Sequence, residues 1–354
     1  MIRGWERWLR DMKVALPCEA EMIDDFLSEP TEGVVETLRK YPGDILVAGA
    51  GGKMGGTMSL MLARAASVAG GRRRVLAVSR FSDAASRDLL EQHGVQTESV
   101  DLLDREAVVR LPDVPLVFFL AGQKFGTSGR PELTWAMNTV VPANVAERWK
   151  QSRLVAFSTG CVYSLVPPES GGSGEADSTE PPGEYAHSCL GREGVFRFYS
   201  QRYGTPVALV RLNYSVEFRY GVLMDLAQRI VRGEPVDVST GWVNVIWQRD
   251  ACAYAIRCLE ACGSPARPVN VTGQGILPVR ELAAALARRL RKSVHFTGTE
   301  QPKAWLNNAG WSHDRWGAPP TSLDDMLDWT AAWATEGGRT LGKPTHFESS
   351  DGRF

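Results

Sequence analysis

The first residues in the chain suited to chemistry are glycines. They stand in Val47-Ala48-Gly49-Ala50-Gly51-Gly52-Lys53-Met54-Gly55, after a short apolar run (residues 44–48) and before an alanine-rich apolar stretch (58–69). Glycines at 49, 52 and 55 permit a tight turn, close backbone approach to a pyrophosphate, and close packing of a helix on a strand. A helix opening there turns its free N–H groups toward the phosphates. Gly49, Gly51, Gly52, Lys53, Met54 and Gly55 thus read as a dinucleotide cradle, with an ordinary glycine-rich turn as the alternative. The next apolar run (74–78) bears on which dinucleotide. An acid at its tip would bond the adenosine ribose hydroxyls of NAD. Here the tip is Val78-Ser79-Arg80-Phe81. Ser79 and Arg80 suit a 2′-phosphate, so NADP is expected, and NAD is accommodated if Arg80 stacks on adenine.

Such a loop needs a scaffold, and the pattern around it supplies one. Strand-like runs at 44–48, 74–78, 95–100, 114–120, 154–157 and 207–212 alternate with helical stretches at 58–69, 84–92, 143–151 and 185–198. This order predicts an α/β Rossmann fold, a doubly wound parallel sheet with helices on both faces. The fourth run is apolar throughout, as a buried parallel strand should be. We expect an N-terminal helical extension over residues 1–40, with Trp5, Trp8, Leu9 and Met12 at helical spacing. The dinucleotide-binding core takes residues 41–212. Residues 213–354 form mainly a small C-terminal substrate lobe, with some strands and helices returning to the core.

Of the 354 residues, 40 are Lys or Arg and 41 Asp or Glu, a net charge of −1 that argues against a general nucleic-acid partner. Cys18, Cys161, Cys189, Cys252, Cys258 and Cys262 form no CxxC pair, and the five histidines do not cluster with them, so no metal site is expected. No apolar run reaches 18 residues, so a soluble cytoplasmic protein without a membrane partner is expected.

The GxxGxxG spacing, taken with further segments, resembles the extended short-chain dehydrogenases/reductases, the NAD-dependent epimerase/dehydratase family. Asp101-Leu102 is similar to the pair that contacts adenine. Leu120-Ala121-Gly122 ends the fourth strand as in the family, and Lys124 stands where some sugar epimerases place a cofactor-contacting lysine. Asn138 matches a helix-bending position. Ser158-Thr159-Gly160-Cys161-Val162-Tyr163 resembles the fifth-strand motif, in which the residue at Thr159 touches substrate. Arg211-Leu212-Asn213 and residues 242–251 resemble the sixth-strand segment and the piece leading into the next helix. The resemblance implies a pyridine-nucleotide-dependent oxidoreductase, epimerase or dehydratase acting on a sugar-like compound. It also implies a homodimer through the helices after the fourth and fifth strands.

The resemblance implies a tyrosine acid/base with a lysine four residues later that lowers its pKa. The tyrosine matches as Tyr185; the lysine position holds Cys189, whose thiol is neutral unless activated. Three readings follow. Lys124, or Arg192 three residues beyond Cys189, supplies the cation. The reaction is an elimination or isomerisation that depends less on a phenolate. Or the protein is a non-catalytic dinucleotide-binding sensor. On the substrate side, Val243 stands where sugar epimerases often hold an arginine. Asn213, Asn244, Trp247 and Gln248 suit a neutral polyol, so a sugar, sugar acid or cyclitol is expected, with core packing as the alternative for Trp247. Arg219 and Tyr220 remain available for an anion.

Overall fold

The computed structural model describes residues 20–124, 129–343 and 345–349; Trp5, Trp8, Leu9 and Met12 lie outside them. Seven strands build the central sheet: β1 (Ile45–Ala48), β2 (Val75–Ser79), β3 (Gln96–Ser99), β4 (Leu116–Phe119), β5 (Arg153–Thr159), β6 (Val207–Leu212) and β7 (Arg267–Val271). They lie in the order β7-β6-β5-β4-β1-β2-β3, every pair parallel. The order reverses between β1 and β4, which is where a doubly wound sheet opens a crevice for a ligand.

The helices up to β6 are α1 (Ala20–Leu27), α2 (Glu32–Lys40), α3 (Lys53–Ala69), α4 (Ala84–Gln92), α5 (Arg105–Arg110), α6 (Pro131–Trp135), α7 (Val141–Arg148) and α8 (Gly183–Tyr203). After β6 come α9 (Val222–Arg232), α10 (Gln248–Arg257), α11 (Val279–Leu290), α12 (Gly310–Trp316) and α13 (Leu323–Thr335). The two-residue period of β1 feeds two cores. Ile45 and Val47 meet α2, α3 and α10 on one face. Leu46 and Ala48 meet Val108, Val145 and Phe196 of α5, α7 and α8 on the other. Both faces being covered is what requires continuous apolar runs in the inner strands. The exception is β3, Gln-Thr-Glu-Ser, a polar edge strand largely open to water.

A third core in the C-terminal lobe joins α1, α9, α11 and α13. The N-terminal part is therefore integral: α2 covers the sheet, and α1 packs into the lobe. The chain returns to the sheet late, with β7 beside β6 and α10 over the first face. The tail also folds onto this lobe. Phe347 is buried in it, Thr345 donates to Asp225 through both N (2.8 Å) and Oγ1 (2.5 Å), and Leu341 N donates to Arg219 O (3.1 Å). Among the described residues, no helix is long and apolar enough to cross a membrane.

Candidate active site

The glycine loop sits at the crevice. Gly49 and Ala50 donate to Val78 O (2.8 and 3.2 Å), and Gly52 N closes a turn onto Gly49 O (3.2 Å). Gly49 has φ +96°, and a Cβ there would collide with the Ala121 backbone. A Cβ on Gly55 would lie 2.5 Å from Gly49 O, so its role is helix–strand packing. Gly52 differs: the nearest atom to a Cβ would be Gly49 O at 3.4 Å. Gly52 lies on the wall of the cavity at this crevice, and α3 begins at the next residue.

A cavity of about 230 Å³ opens here. Its walls include Gly49, Gly51, Gly52, Ser79, Arg80, Asp101, Leu102, Ala121 and Gly122. Nine of the residues expected to hold the cofactor thus meet in one place. Lys53 and Met54 are a correction: their side chains turn away. Lys53 Nζ donates to Ser215 O (2.9 Å) and lies 3.9 Å from the centroid of the Tyr220 ring, while Met54 Sδ accepts from Ser215 Oγ (3.4 Å). Burial, partly opposed by Glu217, pushes the Lys53 amine down to about 7.

Sequence reasoning also missed an acid. Phe81 takes a left-handed turn (φ +44°), and the chain then carries Asp83 to the cavity wall. Its carboxylate caps α4, accepting from Ser86 Oγ (2.6 Å) and Ala85 N (3.2 Å). Arg80 and Asp83 therefore present opposite charges to the same space, so Arg80 alone does not decide the dinucleotide.

Beyond the cavity lies a buried cluster at the C-terminal ends of β4 and β5. Thr159 ends β5 and its Oγ1 accepts from Cys161 N (3.2 Å). Tyr185 and Cys189 lie one turn apart on α8, and the tyrosine hydroxyl and the cysteine sulfur act on one another. Lys124 reaches the same space: burial lowers its pKa, and the nearby Cys161 and Cys189 sulfurs and Asp225 counter that. Tyr185 is held well above the ordinary phenol value, by burial first and then by Cys189 and Cys161, with Arg192 pulling the other way. The cluster as it stands thus keeps Tyr185 protonated.

Asn138 explains how the Lys124 loop is held. It sits in a π-helical turn (Ala136–Val140) between α6 and α7, the bend expected there. Its Oδ1 accepts from Gln123 N (3.1 Å), and its Nδ2 donates to Gln123 O (3.2 Å) and Ser188 Oγ (2.8 Å). Arg192 also donates to Asn138 Oδ1, and to Phe157 O (2.8 Å). Arg192 is therefore a structural clamp under the site, acting on Tyr185 through its charge. Behind it, Glu193 accepts from Arg211 (2.9 and 2.8 Å) and Ser158 Oγ (2.7 Å), and Arg211 donates to the Tyr163 hydroxyl (2.6 Å). Burial alone would raise the Glu193 pKa; the Arg211 pair holds it below the usual carboxylate range. This network ties α8 to β5 and β6.

The expected polyol contacts are corrected. Trp247 is 1% exposed and packs edge-on against Phe218 and Trp329 in the lobe core. Gln248 Nε2 donates to Thr57 Oγ1 (2.8 Å). Asn244 donates to Gly275 O (2.6 Å) and accepts from Asn307 N (2.8 Å). Asn213 Nδ2 donates to Trp305 O (3.1 Å). These groups brace the interior, and the segment 304–308, which Asn213 and Asn244 hold, was not singled out. The lobe instead offers a cavity of about 450 Å³ whose walls include Arg219, Arg229, Arg232 and Lys343 with Asp225, Glu234 and Glu348. Among the described residues, no group of three His, Cys, Asp or Glu side chains is placed to hold a metal.

No protein-family model matches the chain, and no curated protein does. Solved structures do. The UDP-glucose 4-epimerase of Thermus thermophilus, complexed with NAD, is 21% identical at a TM-score of 0.68, covering 83% of this chain and 99% of that one. The UDP-glucuronic acid 4-epimerase of Bacillus cereus gives 18%, 0.70, 83% and 99%. The dTDP-glucose 4,6-dehydratase of Streptomyces venezuelae, with NAD bound, gives 18%, 0.72, 83% and 97%. The chain thus has the fold of the extended short-chain dehydrogenases/reductases.

Proposed function

We propose that the protein is an NAD-dependent epimerase, dehydratase or dehydrogenase acting on a sugar that bears an anionic group. One observation carries this reading: the glycine cavity is lined by Ala121 and Gly122 after β4, two residues before Lys124, whose amine adjoins the Cys161 and Cys189 sulfurs beside Tyr185. The residues fit a dinucleotide, because Gly52 leaves open the approach that a side chain would fill. Gly51 and Gly52 would hold the diphosphate, Asp101 and Leu102 the adenine, and Ala121 and Gly122 the middle of the molecule. When bound, the nicotinamide supplies a hydride acceptor for a sugar carbon. Thr159 orients the substrate hydroxyl. Tyr185, held protonated, gives its proton to the sugar carbonyl oxygen as that carbon gains hydride, and takes the hydroxyl proton back in the reverse step, when the carbon loses hydride. Lys124, desolvated and more easily deprotonated than a surface lysine, stabilises the charge on that oxygen.

Asp83 beside Arg80, and the NAD in the similar structures, favour NAD over the NADP that the strand tip suggested. Replacing Arg80 with alanine should cost NADP about 1.5–3 kcal/mol of calorimetric affinity, the range for a charged hydrogen bond, and leave NAD nearly unaffected. The lobe cavity, whose arginines pair with Asp24, Glu348 and Glu234, carries with Lys343 one more cation than carboxylates in its wall, and that margin favours a sugar nucleotide or sugar acid over a neutral cyclitol. The test is incubation with NAD⁺ and UDP-glucose, dTDP-glucose, D-glucuronate or myo-inositol, reading reduced nicotinamide by absorbance and products by chromatography. Conversion of an anionic sugar supports the reading. The sensor alternative, favoured by Cys189 and the protonated Tyr185, requires NAD⁺ binding with no conversion of any sugar.

The same reading includes a homodimer. Of the large apolar side chains exposed among the described residues, Trp135, Val140, Phe198 and Tyr203 fall on α6, the π turn and α8. Phe198→Glu should shift sedimentation from dimer to monomer. A monomeric parent chain refutes the assembly.

A further inference from the structure

Residues 304–308 cross the site with their backbone pinned on every side. Ala304 and Val166 exchange both backbone hydrogen bonds (3.0 and 2.9 Å), Ser173 N donates to Leu306 O (2.8 Å), and Asn308 N donates to Ser173 O (2.9 Å). Asn213 holds Trp305 O and Asn244 holds Asn307 N. Gly172, at φ +86°, lies so close that a Cβ would stand 2.7 Å from the Asn307 carbonyl carbon.

The Asn307 side chain contrasts with that bracing. The residue is 3% exposed, yet neither Nδ2 nor Oδ1 has a hydrogen-bond partner among the described residues. Buried carboxamides are nearly always satisfied at both ends, because an orphaned end is destabilising. Its place is specific. A Cβ on Gly160 would collide with Asn307 Oδ1, so glycine at 160 is what admits the carboxamide. Gly160 stands between Thr159 and Cys161, and Cys161 adjoins Lys124 and Tyr185. Trp305, two residues before Asn307, packs with Cys161 and Ala186 of α8.

A carboxamide offers one donor and one acceptor side by side. A vicinal diol is complementary: one oxygen accepts while the neighbouring hydroxyl donates. We propose that Asn307 is the substrate-reading residue of this site, Nδ2 donating to one oxygen of a sugar vicinal diol and Oδ1 accepting from the adjacent hydroxyl. The proposal rests on the sugar-enzyme reading above and adds to it a specificity determinant. Pinning the backbone while leaving the amide unsatisfied is the arrangement of a preorganised recognition group, whose ordering cost is met before the ligand arrives.

The test compares the parent with Asn307→Leu, which keeps the bulk and removes the polarity. Unliganded, the leucine variant should melt at the same temperature or a few degrees higher, and bind NAD⁺ as the parent does. With NAD⁺ present, UDP-glucose, dTDP-glucose, D-glucuronate and myo-inositol are titrated calorimetrically, together with the 2-, 3- and 4-deoxy forms of UDP-glucose. The parent should bind at least one of the diols, and the variant should bind it about tenfold more weakly or worse. A deoxy form lacking a read hydroxyl should bind parent and variant alike, an equality that a merely structural role would not produce. A leucine variant that melts lower shows the amide satisfied internally and overturns the proposal, as does a diol bound equally by both proteins. A parent that binds NAD⁺ but none of these sugars overturns the sugar-enzyme reading itself, and Asn307's role with it.

Discussion

Lys124→Ala should lower turnover about 10²–10⁴-fold, the usual weight of a positioned group in proton transfer, while leaving the fold and most NAD⁺ affinity in place. The expectation rests on what surrounds Tyr185. Burial and the Cys189 and Cys161 sulfurs hold the phenol protonated, and Arg192 opposes them while committed to Phe157 O and Asn138. Lys124 is the cluster's second cation, brought in by a loop that Asn138 locks through Gln123. Burial lowers its pKa, so its charge is lost at a lower pH than for a surface lysine. Activity that needs this charge should fall as pH rises through that lowered value. In Lys124→Arg, whose guanidinium stays charged, that alkaline limb should vanish. Cys189→Lys is the companion experiment. Cys189 is fully buried beside Arg192, and the nearest carboxylate network, Glu193, is already paired with Arg211 and Arg197. A lysine there adds an uncompensated buried cation and should reduce activity or cofactor affinity. A clear gain in turnover would mean that the site lacks a cation, and that Lys124 does not provide it.

The contrast between what the sequence disclosed and what it hid has physical causes. Glycines at 49, 52 and 55 are legible because a turn, an open approach and a helix contact each exclude side chains at fixed spacing, and the runs on either side set the context. β1 and β4 are legible because burial on both faces leaves them only apolar residues. Asp83 was hidden because it lies past a left-handed residue, Phe81, where no periodicity carries the reading forward. Asn213, Asn244 and Gln248 were misread for a different reason. Amide chemistry suits a ligand and an interior brace equally, and only the partners decide; here they are Trp305 O, Gly275 O and Thr57. Asn307 lies in an irregular segment and shows itself through a side chain with no hydrogen-bond partner among the described residues, which no sequence pattern encodes. A return to the core after residue 212 was expected, but which strand makes it, β7 beside β6, was not, because that pairing spans a long excursion through the lobe beyond local propensity.

The second large effect is at Gly52. Its backbone is extended (φ −82°, ψ 167°), a conformation that branched residues adopt readily, and a Cβ would touch Gly49 O at 3.4 Å. Gly52→Val should therefore fold with a melting temperature close to the parent's. Its methyl groups would stand where the diphosphate approaches the N-terminus of α3, and dinucleotide affinity should fall by about a hundredfold or more, roughly 2.7 kcal/mol. Gly55→Val is the control of opposite kind. Its Cβ would press on Gly49 O at 2.5 Å, so it should destabilise the fold itself.

The central claim, a dinucleotide held against the open face of Gly52, is tested most directly by calorimetric titration of NAD⁺ into the parent and Gly52→Val, with thermal melts of both. The expected result is saturable binding by the parent, binding about a hundredfold weaker or worse by the variant, and similar melting temperatures. Equal affinity in the two proteins, or no binding by either, would contradict it.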